Sequence, residues 1–573
     1  MDSTVSGGRF VVRIDRQAMS VAGQPKPRRI GDLTVAVSGC VVAEGRAAAD
    51  PHAAVASAYA SDGVMLSRNL LGQYGAVVVD AVHRCIVLAQ DSLGLRKLFY
   101  CFDGNVLIVS SDLDLLLAAR GRYEINEDYF IFYIGTGAGD PTLTPFRNIH
   151  RLAYGWTLEV TAEAVRRHRP WHPSRRAEAG VVENPEQRLR LLLEQAVKAS
   201  LPATGTILCE LTGGLDSSSV YTTALGSGVD LQAVTYTSSR GVSGDDELFA
   251  AEVVAGHGGS WHRLDIDTDE LIPEHYGGFV SEPQAILYAY QFALIEDCMT
   301  RTRADILLTG ALGDVIFEFG GIAPAFLADP LAAGSPLGAI KLARRWAAAR
   351  GNTRTWSHFL RHVALPIAWR HRRGLSVLDW QSNVAPSWMT SSARRRCGAE
   401  DHQQPQRAPR VAEPGRQHLW ESVYDLAAHE NGPFYRRLSA DVRHPLYHRP
   451  LVEFLLGLDF TVRRGFEDDR RLQRRALADR LPEAVLTRRS KGSAQELRER
   501  HLMESRRWYH AMTVEPRIVQ RGWVDPRQWR EQVDRTRVGA SDLSARFVNA
   551  VQAELWLRAL ERVPMPSPVS LTV

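Results

Sequence analysis

The residues best equipped for chemistry form one run, Ile207-Leu208-Cys209-Glu210-Leu211-Thr212-Gly213-Gly214-Leu215-Asp216-Ser217-Ser218-Ser219. An apolar stretch of strand character passes through paired glycines and hydroxyls into a stretch of helical character. Glycines let the main chain turn sharply and approach a ligand, N–H groups at a helix start attract anions, and hydroxyls add donors. A pyrophosphate fits such a loop, with Leu211, Thr212, Gly213, Gly214, Ser217 and Ser218 as its contacts. Asp216 would repel a bare phosphate, so its place beside one makes sense if it holds a Mg²⁺ that neutralises both. The competing reading is a glycine-rich strand-to-helix turn with a Ser/Asp cap.

A second run, Leu308-Thr309-Gly310-Ala311-Leu312-Gly313-Asp314, again ends a strand in glycines and an aspartate. Parallel sheets place ligands beyond the carboxyl ends of their strands, which brings Gly310 to the nucleotide and lets Asp314 share the Mg²⁺ with Asp216. No G-x-x-x-x-G-K-[ST] occurs, which excludes a Walker-type NTPase, and Gly135-Thr136-Gly137-Ala138-Gly139 does not match G-x-G-x-x-G and reads as a loop. Only five of the 69 basic residues are lysines (Lys26, Lys97, Lys198, Lys341, Lys491), so a lysine kept in a motif is informative. Lys491 stands in Arg488-Arg489-Ser490-Lys491-Gly492; the alternative for it is a solvated residue in a basic run.

These loops need a scaffold, and the periodicity supplies one. Helix over Pro185 to Ser200, strand over Ile207 to Leu211, helix over Ser218 to Leu225, strand over Gln232 to Thr237, helix over Asp246 to His257 and strand over Ile306 to Thr309 predict a parallel, helix-covered sheet. Helices dominate after Gly321, and Ala393 to Gln417, rich in Arg, Pro, Gln and Ala without periodicity, predicts a mobile surface loop. Upstream, short strands are predicted over Phe10 to Ile14, Leu33 to Val37, Ala76 to Asp80, Cys85 to Ala89, Leu98 to Phe102 and Val106 to Ser110, with helical pieces over Leu113 to Ala119 and Glu127 to Ile134. Pro170 to Asn184 reads as a linker, which sets a boundary near Arg175.

At 573 residues the chain is several times the ~150 of a usual domain, so more than one core is expected. With 45% apolar and 23% charged residues it has the composition of a soluble globular protein, neither disordered nor collagenous. No stretch reaches the ~18 to 20 apolar residues that span a bilayer, and Met1-Asp2-Ser3 does not open a signal peptide, so a cytoplasmic location is expected. Cys40, Cys85, Cys101, Cys209, Cys298 and Cys397 lie far apart with no C-x-x-C pair, which suits reduced buried thiols rather than a zinc site or a disulfide framework.

The Thr212 run resembles the S-G-G-x-D-S loop of ATP pyrophosphatases that make adenylates, with Thr212 in place of the first serine and the hydroxyl kept. Together with Glu282-Pro283, Asp441-Val442-Arg443-His444-Pro445-Leu446, Leu481-Pro482 and Arg488 to Gly492, its order and spacing are similar to the synthetase domain of asparagine synthetase B, over most of residues 185 to 560. Asp91-x-x-Gly94-x-x-x-Leu98-Phe99-Tyr100, Val109-Ser110-Ser111-Asp112 and Thr144-Pro145-Phe146-x-x-Ile149-x-x-Leu152-x-x-Gly155 resemble that family's glutamine amidotransferase domain. The resemblance implies a mixed α/β and α+β protein. Residues 1–175 would form a degenerate Ntn-amidotransferase-like αββα sandwich, and residues 176–573 an adenine-nucleotide α-hydrolase-like, doubly wound parallel sheet with a helical extension. Two departures stand out: the family's glutaminase needs a cysteine directly after the initiator methionine, where this chain has Asp2, and Leu71-Gly72-Gln73 replaces Asn-Gly-Glu. A carboxylate is a far poorer nucleophile toward an amide than a thiolate, so no glutaminase activity is expected.

What remains is a ligase whose amine arrives with its substrate, as in the β-lactam synthetase-like and lasso-peptide macrolactam synthetase branches. Thr309 to Asp314 in place of S-G-E-G-S-D, Ala385-Pro386-Ser387-Trp388, and Arg443-His444-Pro445-Leu446 running into Arg449 to Phe454 favour the lasso cyclases. In that reading ATP and Mg²⁺ bind at Thr212 to Ser218, a side-chain carboxylate of a precursor peptide attacks the α-phosphorus, and the peptide's own α-amine closes an isopeptide macrolactam. Lys491 matches the family's catalytic lysine and would neutralise charge on the α-phosphate and the tetrahedral intermediate. Asp441, at the family's acidic position before A-R-V-P, would orient or deprotonate the amine, or else pair with Arg443. The implied partners are the precursor peptide, a leader-peptide-recognition protein and a peptidase, with no nucleic acid and no membrane span. A β-lactam-forming synthetase, an ammonia-dependent asparagine synthetase and a non-catalytic scaffold that docks a precursor peptide are the alternatives.

His429, Glu430 and Tyr435 are further candidates for the amine base, and Pro445 argues against a helical metal pair between His444 and His448. Lys341 to Gly374 holds nine basic residues and no acid, interleaved with Trp346, Trp356 and Trp369. Nucleic acid is one reading of such a stretch; a helical rim that meets an acidic peptide or a protein partner is preferred, with an Arg-rich solvated face as the alternative.

Overall fold

The computed structural model describes residues 9–137, 140, 142–174, 182–238, 244–267, 281–284, 289–318, 324–378, 385–401, 408–430, 438, 440–489, 502–540 and 544–562. Its first third holds strands β1 (Val11–Asp15), β2 (Ser20–Gln24), β3 (Arg28–Ile30), β4 (Leu33–Ala43), β5 (Arg46–Ala47), β6 (Leu71–Asp80), β7 (Cys85–Gln90), β8 (Phe99–Asp103), β9 (Val106–Ser110), β10 (His150–Arg151), β11 (Thr157–Val160) and β12 (Val165–His168). Helices α1 (Pro51–Asp62), α2 (Leu113–Arg120) and α3 (Glu127–Thr136) accompany them. One antiparallel sheet runs β10-β8-β9-β1-β2 and the other β12-β11-β7-β6-β4-β3, with β5 on β4.

Period-two alternation explains the layering. Val77 and Val79 of β6 join Val12, Ile14, Leu107 and Val109 in the core between the sheets. Ala76 and Val78 point the other way, into a core with Val55 and Ala56 of α1. Val11 and Ile108 likewise leave the inner core and pack with α2 and α3. The central strands of each sheet are buried on both faces, which gives an αββα sandwich.

The second half holds α4 (Pro185–Ser200), β13 (Thr206–Glu210), α5 (Leu215–Leu225), β14 (Asp230–Thr237), α6 (Gly244–His257), β15 (Ser260–Asp265), α7 (Ala289–Thr302), β16 (Ile306–Leu308) and β17 (Asp441–Arg443). All pairings in the order β15-β14-β13-β16-β17 are parallel. Ile207, Cys209, Ile306 and Leu308 face a core with α4, α5 and α6, while Leu208 and Leu307 face Ile295, Cys298 and Met299 of α7. A parallel sheet with helices on both faces is doubly wound.

Three expectations need correction or completion. Helix fills Ser391–Asp401, with Ala393 and Cys397 buried against Trp388 and Met389, and another helix spans Pro414–Glu430; the stretch Ala393 to Gln417, expected as a mobile surface loop, is thus helical at both ends, with Arg394, Arg395 and Arg396 exposed and Arg416 and Gln417 buried, and residues 402–407 lie outside the described residues. The basic stretch is helical over Pro336–Ala349 and Leu365–Arg372, and its rings take up arginines from within the chain: Arg344 lies 4.8 Å over Trp356, Arg350 4.4 Å over Trp346 and Arg373 4.2 Å over Trp369. Strands β15 and β17, which flank the parallel sheet, come in addition to those expected.

The two halves share cores. Leu93, Leu95, Tyr154 and Trp171 pack with α4 and α5, and Phe99, Leu116 and Phe130 pack with Trp523, Trp529 and Trp556. The boundary expected near Arg175 lies outside the described residues. Among the described residues no helix is long and apolar enough to cross a membrane.

Candidate active site

β13 delivers Leu211 and the loop after it to the carboxyl end of the parallel sheet. Leu211 is tied on both sides: its N–H donates to Val234 O at 2.8 Å, and its carbonyl accepts from Thr235 Oγ1 at 2.5 Å. Gly213 has φ +63°, and a Cβ there would lie 2.3 Å from Phe249 Cβ, so only glycine serves. The hydroxyls shape the turn. Ser217 Oγ accepts from Thr212 N at 3.1 Å and lies 3.1 Å from Thr212 Oγ1, which accepts from Gly214 N at 3.4 Å. Helix α5 begins at Leu215, directly after the paired glycines, so the N–H groups of its first turn lie at the loop. The Ser218 hydroxyl is buried and has no hydrogen-bond partner among the described residues.

The second loop meets the first without room for a side chain. A Cβ on Gly310 would fall 2.6 Å from Ser217 N, and one on Gly313 2.0 Å from Asp216 Cγ. Asp216 and Asp314 converge on one positive centre, the guanidinium of Arg470: Asp216 Oδ2 lies 3.0 Å from Nη2, and Asp314 Oδ1 accepts from the same nitrogen. Gln473 Nε2 also donates to Asp216 Oδ1 at 3.0 Å. Two carboxylates aimed at one cation are the kind of donor set a hard divalent ion takes when phosphate oxygens and water complete its shell, so these residues fit Mg²⁺ where the guanidinium now sits.

Arg488 closes the loop from the far side. Its Nη1 donates to Thr212 O at 3.0 Å, its Nη2 bonds Asp246, and its guanidinium stacks 4.3 Å over Phe249. Lys491, three residues on, lies outside the described residues, as do Tyr435 and the side chains of His429 and Glu430. Sequence reasoning did not assign Arg470, Gln473 or Arg488 to the site. Arg488 stands in the Arg488 to Gly492 motif, whereas Arg470-Arg471-Leu472-Gln473 carries no local signal.

Asp441 pairs with arginines on both oxygens: Arg443 Nε lies 2.7 Å from Oδ2, and Arg96 holds Oδ1. Burial pushes its carboxyl up, but Arg96 and Arg443 outweigh that and hold it below the ordinary value. A carboxylate so occupied is poorly set to take a proton from an amine, and the alternative pairing with Arg443 is the one the structure has. His444 is buried with Nδ1 2.7 Å from Thr309 Oγ1, and burial, then Arg96, lowers its pKa to about 3. In the first half, Cys40 is buried on β4, and burial raises its thiol pKa, with Arg443 offsetting part of the rise.

A glycine-and-hydroxyl loop at a helix start, beside paired aspartates beyond the ends of parallel strands, makes this an α/β protein with a loop of the kind that receives phosphate groups. The chain belongs to the asparagine synthase family: residues 188–558, more than half of its length, match that family's model, and residues 46–171 match the glutamine amidotransferase domain. It is 27% identical over 220 residues to a glutamine-hydrolysing asparagine synthetase of Gallus gallus, covering 36% of this chain and 37% of that one. With the glutamine-hydrolysing asparagine synthetase 3 of Bacillus subtilis it shares 22% identity over 279 residues, 47% of this chain and 44% of that one. The chain thus spans about half or less of the length of these curated relatives. A solved glutamine phosphoribosylpyrophosphate amidotransferase from B. subtilis overlaps 54% of this chain and 85% of its own at 11% identity, with a TM-score of 0.20, too low to carry weight.

Proposed function

We propose that the protein is an ATP-dependent carboxylate–amine ligase that activates a side-chain carboxylate of a precursor peptide and closes it on the peptide's N-terminal amine. The observation that carries this reading is the convergence of Asp216 and Asp314 beside the Thr212 to Gly214 loop. The main chain of Gly213 and Gly214 and the start of α5 hold the phosphates, and bound Mg²⁺ supplies neutralisation of their charge. The carboxylate attacks the α-phosphorus and pyrophosphate leaves; the amine then attacks the acyl carbon, and AMP and a proton leave. Holding both ends of one peptide in the site supplies the effective concentration that ring closure needs, and exclusion of water protects the mixed anhydride. Arg488 is fixed on Thr212, and Lys491, three residues further along the sequence, is the residue whose ammonium would stabilise the charged intermediate.

An amine carried by the substrate is favoured by the state of the first half. Gln73, at the position of the family's Glu, spends its amide on the main chain of His444, and Cys40 is buried with its thiol pKa raised. The precursor would come from a leader-peptide-recognition protein and a peptidase.

The purified protein is expected to release pyrophosphate and AMP with ATP, Mg²⁺ and a peptide bearing an N-terminal glycine and an internal Asp or Glu, and to yield a product one water lighter. Asp216→Ala and Lys491→Met are each expected to lower product formation ~100-fold or more at unchanged circular dichroism. Pyrophosphate release with free aspartate and ammonium but with no peptide would replace this reading by the asparagine synthetase one, and nitrogen from labelled glutamine in the product would overturn it.

A further inference from the structure

The first half reaches the nucleotide loops through a short chain of bonds. Gln73 lies on β6, 7% exposed, and grips His444 at both ends of its amide: Nε2 donates to His444 O at 2.7 Å, and Oε1 accepts from His444 N at 3.1 Å. Arg96 adds a second hold, with Nη2 donating to Val442 O at 2.8 Å and to Asp441. Arg96 is itself fixed, because Asp91 accepts from the N–H groups of Leu93, Leu95 and Arg96 at 3.2, 3.1 and 3.0 Å. The contacts of Gln73 and Arg96 fall on β17, the edge strand beside β16, and the residue after it.

From β17 the chain of contacts runs to the site. Arg443 O accepts from Thr309 N at 3.2 Å, and His444 Nδ1 lies 2.7 Å from Thr309 Oγ1, which also accepts from Ala311 N at 3.2 Å. Thr309 opens the loop that brings Gly310 against Ser217 and Gly313 against Asp216. The Thr212 loop, by contrast, is fixed by β14, α6 and Arg488, whereas the Gln73 amide spends both of its bonds on His444.

We infer that Gln73 is a positioning residue: acting through His444 and Thr309, it sets the Thr309 to Asp314 loop against the nucleotide loop, so the first half serves as a clamp on the ligase site. This rests on the adenylation reading for its kinetic consequence and not for its mechanical one. Loss of the clamp displaces Asp314 while leaving the phosphate loop in place. Nucleotide binding then survives, and the step that needs both loops slows.

Gln73→Met keeps length and burial and removes both amide bonds. Its kcat for carboxylate-dependent pyrophosphate release is expected to fall at least tenfold, with KM for ATP within twofold of the unaltered protein. Amide hydrogen exchange is expected to quicken most in peptides covering residues 306–318 and 441–448, and less over 206–225, which touches that loop at Asp216 and Ser217. Thr309→Val, which cuts the same chain at its other end and leaves Gln73 bonded, should show the same split, and the double variant should lose less than threefold beyond either single one. An unchanged kcat, or exchange that quickens equally over 206–225, would overturn the clamp. If the unaltered protein releases no pyrophosphate with any carboxylate, the adenylation reading fails, and the exchange pattern alone decides the clamp.

Discussion

Arg470 is the cation that the two aspartates share. Its guanidinium is 6% exposed, and its backbone sits at φ +53°, a conformation that a long side chain adopts only where the surroundings hold it. Arg470→Gln removes the guanidinium that both carboxylates share. We expect a loss on the order of 2 kcal/mol in the absence of Mg²⁺, short of the ~3 to 5 for a fully buried pair because Asp314 is a third exposed. Millimolar MgCl₂ should then raise Tm more in Arg470→Gln than in the unaltered protein; equal shifts in a thermal melt would show that the aspartates do not gather a cation. At this scale the sequence was readable where the signal is local. Gly213, Gly214, Asp216, Gly310 and Asp314 announce a ligand loop because turn and ligand chemistry sit within a few neighbours of each other. Arg470 meets Asp314 across 156 residues and Arg96 meets Asp441 across 345, and no pattern of spacing encodes such a partner.

Among elements, the helix Pro414–Glu430 shows why polar composition misled. Pro414-Gly415 resembles a breaker, yet proline is at home in a helix's first turn. Arg416, Gln417, His418 and Glu421 resemble a solvated face but are buried: Arg416 Nε donates to Leu456 O at 2.8 Å, and Glu421 Oε2 accepts from Ser376 Oγ and Val377 N, both at 2.8 Å. Buried polar groups that find partners are invisible to a hydrophobic period. His418 gives this helix a pH signature. Burial lowers its pKa to about 4, against about 6.5 unfolded, so between those values the unfolded chain binds a proton that the fold excludes. Its contribution is therefore present above pH ~6.5 and lost as pH falls toward 4, with a slope of up to about 1.4 kcal/mol per unit. His418→Gln should flatten the change in urea-unfolding free energy between pH 7 and pH 4.5 by roughly 2 kcal/mol. Parallel pH curves for the two proteins would place His418 in water.

For the whole molecule, alternation within strands foretold which faces are buried but not what buries them. β9 shows the limit: Leu107 and Val109 on one side and Ile108 on the other read as a two-faced strand, yet nothing in that pattern says that Ile108 lies in one core with Trp556 from the far end of the chain. That core binds the halves mechanically. Phe130 of α3 stacks 4.9 Å from Trp523 and lies 5.3 Å from Trp556, which also lies 5.8 Å from Phe146. Truncating a buried tryptophan costs about 3 to 5 kcal/mol, because the cavity is only partly refilled. If the halves were separate folding units, Trp556→Ala would lower one calorimetric transition and spare another. With the core shared, one transition should move as a whole, and amide exchange should quicken in α3 and β8 as well as in the Ala545–Arg562 helix that carries the substitution. A first-half transition that keeps its temperature would mean that the clamp at Gln73 joins two bodies able to stand apart, and the coupling drawn from it would then have to act across a hinge.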